Sequence, residues 1–196
     1  MTTAHHHKNP LIANLPTRLA ETSSRGWAEA PAKRVGKVVV NVGVGKLRSQ
    51  ANFDDKVLPE VMKDVAAITG QHPSIRRSTK SIAGFKLREG DIVGLQVTLR
   101  GARMRDFLMK LFSIVLPRVK DFRGLAPTTV DHDGNLNIGF RDQVVFPEIE
   151  TEKVRVSFGI QVTVVPSVRG REAAVALYRS LGVPLRSNIE ARSTKS

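Results

Sequence analysis

Apolar and polar residues alternate most regularly over residues 91–100, where Val93, Leu95, Val97 and Leu99 fall on one parity and Gly94, Gln96, Thr98 and Arg100 on the other. Successive side chains of a strand point to opposite faces, so this stretch predicts a strand with one apolar and one hydrogen-bonding side. The same alternation recurs over 156–164, with Val156, Phe158, Ile160, Val162 and Val164 on the apolar parity. Lys37–Val42 (KVVVNV) is a β-branched run ended by VGVG, residues 73–79 read as a further strand, and Leu136–Phe140 as a short one. A period near 3.6 replaces this alternation in three places. Val57, Val61, Met62, Val65 and Ile68 line one face of a predicted helix over 55–69, capped by Asn52 or Asp55, with Pro59 in its first turn and Gly70 as its stop. Met104, Phe107, Leu108, Leu111 and Val115 do the same over 102–116, with Pro117 beyond the end. A last helix is predicted over 170–181, closed by Gly182 and Pro184.

Between these elements, residues 118–135 read as a long loop ending in the turn signal DHDGN. Residues 1–35 carry Pro10, Pro16 and Pro31 and read as a weakly structured extension, in which LIANLPTRLA is a short helix broken or started by Pro16. Residues 36–184 then form one α+β domain, and 185–196 a mobile basic tail. The order β-α-β-β-α-β-α resembles a split βαβ layout. It predicts a mostly antiparallel sheet with helices on its apolar face, a polar opposite face that includes Asn41 and Thr98, and a long basic loop projecting between two strands.

Charge changes the picture more than composition does. With 41% hydrophobic residues the chain can build a core, but it carries a net +13 and no cysteine. That balance predicts a polyanionic partner, nucleic acid first and an anionic membrane surface second. The missing cysteines exclude a disulfide framework and a thiolate metal site, and no apolar run reaches the ~18 residues of a spanning helix. A soluble intracellular protein is the expectation. The excess is unevenly placed: residues 1–70 carry +4, 71–120 carry +8, 121–165 carry −3 and 166–196 carry +4. Two different partners, or one partner and a solvent side, fit that distribution. Its centre is RRSTKSIAGFKLR (76–88), where Arg76, Arg77, Lys80, Lys86 and Arg88 stand without an acid among Ser78, Thr79, Ser81 and Phe85. A core strand does not tolerate such density of like charge, whereas a loop reaching into a polyanion requires it.

Other chemistry is absent or fragmentary. NVGVGKLRS places Gly43 and Gly45 after a strand, but Arg48 stands where a dinucleotide fingerprint needs its third glycine, and Lys46 is not followed by the Ser or Thr of a phosphate loop. The glycines instead let the backbone approach a neighbouring chain or RNA closely. Asp131, His132 and Asp133 lack the spacing of a calcium loop and read as turn residues, His5–His7 as a flexible end or a cloning remnant, and His72 as a loop residue before Pro73. No enzyme, cofactor or metal is expected. With one Trp and one Tyr, and only Phe85 placed to stack a base, the expected mode is recognition of folded RNA through shape, phosphate and 2′-hydroxyl contacts.

KVVVNVGVGK, AAITGQHP, RRSTKSIAGFKLREG, VTLRGARMRDFL, LPRVKDFRGL and QVVFPEI together resemble, in order and spacing over about residues 36–182, the family of large-subunit ribosomal protein number five. The resemblance implies a structural protein of the cytoplasmic ribosome that grips 5S rRNA in the central protuberance, beside 23S-type rRNA and other central-protuberance proteins. It implies 5S contacts at Asn41, Gly43, Lys46, Gln71 and Thr98. It further implies that the loop bearing Arg76, Arg77, Lys80, Ser81, Phe85, Lys86 and Arg88 reaches P-site tRNA. The region 121–150, with Asp131, Asp133, Asn135 and Asp142, would meet ribosomal protein number thirteen of the small-subunit head. The chain departs from the family in HHHKNP and RGWAEAPAKR, in DHDGNLNIGF, which replaces a more basic stretch, and in a longer tail. An RNA-processing enzyme would need an acid or histidine cluster in the basic region, where Glu89 and Asp91 alone stand. A peripheral membrane protein would need Trp, Phe and Leu along a basic helix, and the helix at 102–116 has instead a face suited to a sheet.

Overall fold

The computed structural model describes residues 34–85, 87–120 and 122–186, and of Phe85 and Lys153 only the backbone. The predicted N-terminal helix, His5–His7, Lys86 and the tail from 187 lie outside the described residues. Five strands, β1 (Val35–Gly43), β2 (Ser74–Arg77), β3 (Ile92–Leu99), β4 (Leu136–Phe140) and β5 (Ile160–Pro166), form one sheet in the order β2-β3-β1-β5-β4. Every neighbouring pair is antiparallel. The helix α1 (Leu58–Thr69) joins β1 to β2, and β3 inserts between them, which is the split βαβ unit. The complete order is β-α-β-β-α-β-β-α, one strand more than the layout read from the sequence, because both β4 and β5 follow the second helix.

Strand parity decides the two layers. Val38, Val40 and Val42 of β1, Leu95, Val97 and Leu99 of β3, Leu136, Ile138 and Phe140 of β4, and Ile160, Val162 and Val164 of β5 are all buried in one core. Against them pack Val61, Val65 and Ile68 of α1, and Met104, Phe107 and Leu108 of α2 (Gly101–Lys110). Ala174, Leu177 and Tyr178 of α3 (Arg171–Ser180) complete the core. The Tyr178 hydroxyl reaches the carbonyls of Gly134 (2.9 Å) and Val164 (3.1 Å), and burial raises its pKa above the ordinary range.

Four expectations change. Neither Asn52 nor Asp55 caps α1 through its side chain; Asn52 sits left-handed at φ 57°, and the chain enters through a π turn over Phe53–Val57. Gly70, at φ 68°, does end the helix. Pro117 is not beyond the end of α2: the helix widens into a π turn over Leu111–Val115 and runs on through Leu116–Arg118. In both helices the tripeptide Val-Leu-Pro closes the π turn, and the wider turn makes room for a ring that would otherwise collide with the preceding turn. The strand expected from Val156 begins only at Ile160, because β4 turns away after Phe140. The fully buried Gln143 amide takes over there, its Nε2 donating to Val156 O (2.6 Å) and its Oε1 accepting from Phe158 N–H (3.0 Å). The ordered body also continues past 184: Leu185 pairs in parallel with Leu125, and Arg186 N–H donates to Leu125 O.

Candidate nucleic-acid interface

The face of the sheet away from the core carries the parity opposite to the buried residues, and none of the five strands contains an aspartate or glutamate. The strand registers set its side chains in rows. Ser74, Gln96, Asn41, Gln161 and Gly139 stand opposite one another across all five strands, a span of about 19 Å. Beside them run Thr98, Val39, Thr163 and Asn137 on one side and Arg76, Gly94 and Gly43 on the other. The amides are held by one another. Gln96 Nε2 donates to Asn41 Oδ1 (3.0 Å), the Arg76 guanidinium donates to Gln96 Oε1, and Thr163 Oγ1 donates to Asn137 Oδ1 (2.8 Å).

Asn41, Gln71 and Thr98, expected as a set, converge. Gln71 Nε2 donates to Thr98 O (3.4 Å), and Thr98 lies one row from Asn41. Gly43 ends β1 on the same face, and the exposed Lys46 follows in a short 3-10 turn over Gly45–Ser49. Arg76, expected in the loop, belongs to this face through its strand position and its bond to Gln96. Gln161, Thr163 and Asn137 complete the surface and escaped sequence reasoning. The alternation that marks β5 does contain the signal for two of them, since Gln161 and Thr163 occupy its polar parity.

Gly43 and Gly139 are informative because the fold does not require them: no protein atom lies within 4 Å of where a Cβ would sit, and neither has positive φ. Gly94 differs, since a Cβ there would stand 2.9 Å from Val42 O. Two glycines in strands, each costing about 0.5–1 kcal/mol relative to alanine, leave a floor that an external backbone can approach closely.

Residues 78–91 form a hairpin rather than an open loop. Ser78 N–H donates to Asp91 O (2.8 Å) and Gly90 N–H to Ser78 O (2.9 Å) at its neck, and Ile82 pairs with Leu87 further out. Arg77 Nη1 donates to Gly90 O, and Arg48 pairs with Asp91 at 2.8 Å. The Arg88 N–H, and after it the Arg48 guanidinium, hold the Asp91 carboxyl below its ordinary pKa against an opposing desolvation. Arg76, Arg77, Lys80, Ser81 and Arg88 are exposed, as is Ile82.

The acidic residues lie at the opposite edge, on either end of β4. Asp131 is committed to its own turn: it accepts from Asn135 N–H (2.7 Å) and Asn135 Nδ2 (2.9 Å), and Gly134 N–H closes on its carbonyl. Burial pushes the Asp131 pKa up, and the bonds from Asn135 and its neighbours outweigh this, so the net shift is downward. Asp133 is exposed before β4, whereas Asp142 follows it and accepts from Ser157 Oγ. With a five-residue strand between them, these acids are about 20 Å apart along the edge and do not form one patch.

Residues 32–88 match the family model described as Ribosomal protein L5, and residues 92–185 match the model of the same ribosomal family's C-terminus. This chain belongs to the ribosomal protein L5 family. A large ribosomal subunit protein uL5 of Halothermothrix orenii is 49% identical over 77% of this chain and 82% of its own. One from Chloroflexus aggregans is 43% identical over 88% and 92%, and one from Fusobacterium nucleatum 41% over 94% and 97%. The family is a structural, non-enzymatic one of the cytoplasmic ribosome's large subunit. In this L5-family chain the two matched regions meet within the hairpin, yet β3 of the second pairs with β1 and β2 of the first, so both build one sheet. Among the described residues, no helix is long and apolar enough to cross a membrane, and no group of three metal-ligating side chains converges.

Proposed function

We propose that this large-subunit protein seats 5S rRNA on the polar face of its sheet, with Asn41, Gln71, Gln96 and Thr98 at the centre and Arg76 and Lys46 at the rim. The observation that carries this reading is the acid-free face itself, on which five strands present amides, hydroxyls and two unneeded glycines in register. Neutral donors and acceptors at fixed spacing suit sugar hydroxyls and base edges, and the cations around them suit phosphates. The exposed hairpin reaches P-site tRNA, and the β4 edge, with Asp133 and Asp142, meets the basic ribosomal protein number thirteen of the small-subunit head.

The glycines test the sheet reading. Gly43→Ala adds a methyl group to empty space in an unstrained strand, so the melting temperature should hold or rise slightly, while 5S affinity falls about tenfold, or ~1.4 kcal/mol. Gly94→Ala should instead lower the melting temperature, because its Cβ meets Val42 O. Unchanged 5S binding by Gly43→Ala, measured by filter retention, would remove RNA from that end of the face.

The hairpin reading has its own test. Replacing Thr79–Arg88 by a short Gly-Ser turn keeps Ser78, Gly90 and Asp91, which close the neck, and removes no member of the buried core. The variant should fold, bind 5S rRNA as before and enter large subunits. Ribosomes carrying it should release P-site tRNA on the order of tenfold faster, since Lys80, Lys86 and Arg88 no longer face its backbone. Equal release rates would detach the hairpin from tRNA; lost 5S binding would move it to the 5S interface.

A further inference from the structure

A second group of cations lies away from both the sheet face and the hairpin. Arg118 ends the long second helix, and two consecutive turns, Val119 N–H to Leu116 O (3.1 Å) and Phe122 N–H to Val119 O (3.2 Å), bring Lys120 and Arg123 after it. Arg186 arrives from beyond α3. Its Nε donates to Arg123 O (3.0 Å), its N–H donates to Leu125 O (2.9 Å), and Leu125 N–H donates to Pro184 O (2.7 Å). Gly124, at φ 92°, lets the two segments close, for a Cβ there would stand 3.1 Å from Pro184 O and 3.3 Å from Arg186 Cγ. Backbone bonds therefore fix Arg186 against Arg123.

Among the described residues the cations of the two ion pairs are Arg48 and Lys110, and no acid there pairs with Arg118, Lys120, Arg123 or Arg186. Arg118, Lys120 and Arg123 are exposed and Arg186 is half-buried. Holding like charges together without a counter-charge is unfavourable unless an anion meets them. A protein surface does not fit as that anion: such interfaces have an apolar centre, and the exposed large hydrophobics among the described residues, Ile75 and Ile82, are both elsewhere. Arginine forks match phosphate oxygens two at a time.

We propose that Arg118, Lys120, Arg123 and Arg186 form a second RNA site, gripping the phosphodiester backbone of a ribosomal RNA segment other than the one on the sheet. The inference rests on membership of the ribosomal family and stands apart from the 5S reading of the polar face. The chain has no cysteine, so single variants Arg123→Cys and Thr98→Cys can carry a tethered iron chelate in reconstituted large subunits, where hydroxyl radicals cut neighbouring RNA. Position 123 should cut ribosomal RNA at nucleotides that position 98 leaves intact. Silence at position 123 in subunits that retain the protein, or cuts coinciding with those from position 98, would overturn the second site; cleavage of a neighbouring protein alone would overturn it in favour of an acidic protein partner. Failure of position 98 to cut 5S rRNA would count only against the sheet reading. Arg118→Gln with Arg123→Gln should also release the protein from large subunits at lower salt, with an unchanged or higher melting temperature; unaltered salt resistance would count against the proposal.

Discussion

Raising salt from ~50 to ~200 mM should weaken binding of this protein to isolated 5S rRNA on the order of a thousandfold, about 4 kcal/mol, if ~6 phosphates are neutralised. Lys37, Arg76 and Lys46 stand on the polar face or at its end, Arg34 and Arg100 flank it at the strand termini, and Arg77 sits at the foot of the hairpin. Each cation that meets a phosphate releases condensed counterions, and the affinity then falls linearly on a log–log scale. Arg76→Gln should reduce that slope by about one, while Thr98→Val, which removes only a neutral hydroxyl, should lower affinity by about 1–3 kcal/mol and leave the slope alone. A flat salt response would end the phosphate-dominated account of the face. A slope unchanged by Arg76→Gln would confine Arg76 to bracing Gln96.

The second large effect concerns stability. Gln143→Ala should cost about 3–5 kcal/mol, lowering the melting temperature by roughly 10 °C. The Gln143 side chain is fully buried, and its amide is the partner of both Val156 O and Phe158 N–H. Its loss strands two backbone groups away from water, each worth about 1–3 kcal/mol, and leaves a cavity. Gln143→Leu separates the two contributions. It fills the space without pairing either group, so it should remain destabilised by about 2–4 kcal/mol. A leucine variant as stable as the parent in denaturant titration would show that volume, not the amide, holds residues 156–158 in place.

The short-range periods were sufficient for the layers. Val38, Val40 and Val42 had to share a face because a strand repeats every two residues, and Val61, Val65 and Ile68 because a helix repeats every 3.6. The same arithmetic placed Asn41 and Thr98 opposite the core and gathered the charge at 76–88. Periodicity was silent where a distant segment supplies the partner. The expected strand from Val156 lost its first residues because β4 ends at Phe140, and the residue that replaces the missing strand, Gln143, reads in the sequence as one more polar residue of a loop. Pro117 looked like a helix end because a π turn has no periodic signature of its own.

What the sequence alone determined is therefore the chemistry of each face: buried valines and leucines on one side, acid-free amides, hydroxyls and cations on the other, and an unbalanced basic hairpin. What only the tertiary structure decided is which of those side chains stand together. Strand order and register make neighbours of Ser74, Gln96, Asn41, Gln161 and Gly139, although they come from five separate stretches of chain. A backbone closure at Gly124 likewise brings Arg186 against Arg123. The physical reason is that side-chain direction follows from local backbone geometry, whereas register and closure are selected by the packing of the whole core, in which a one-residue slip would turn every buried valine of β1 to solvent.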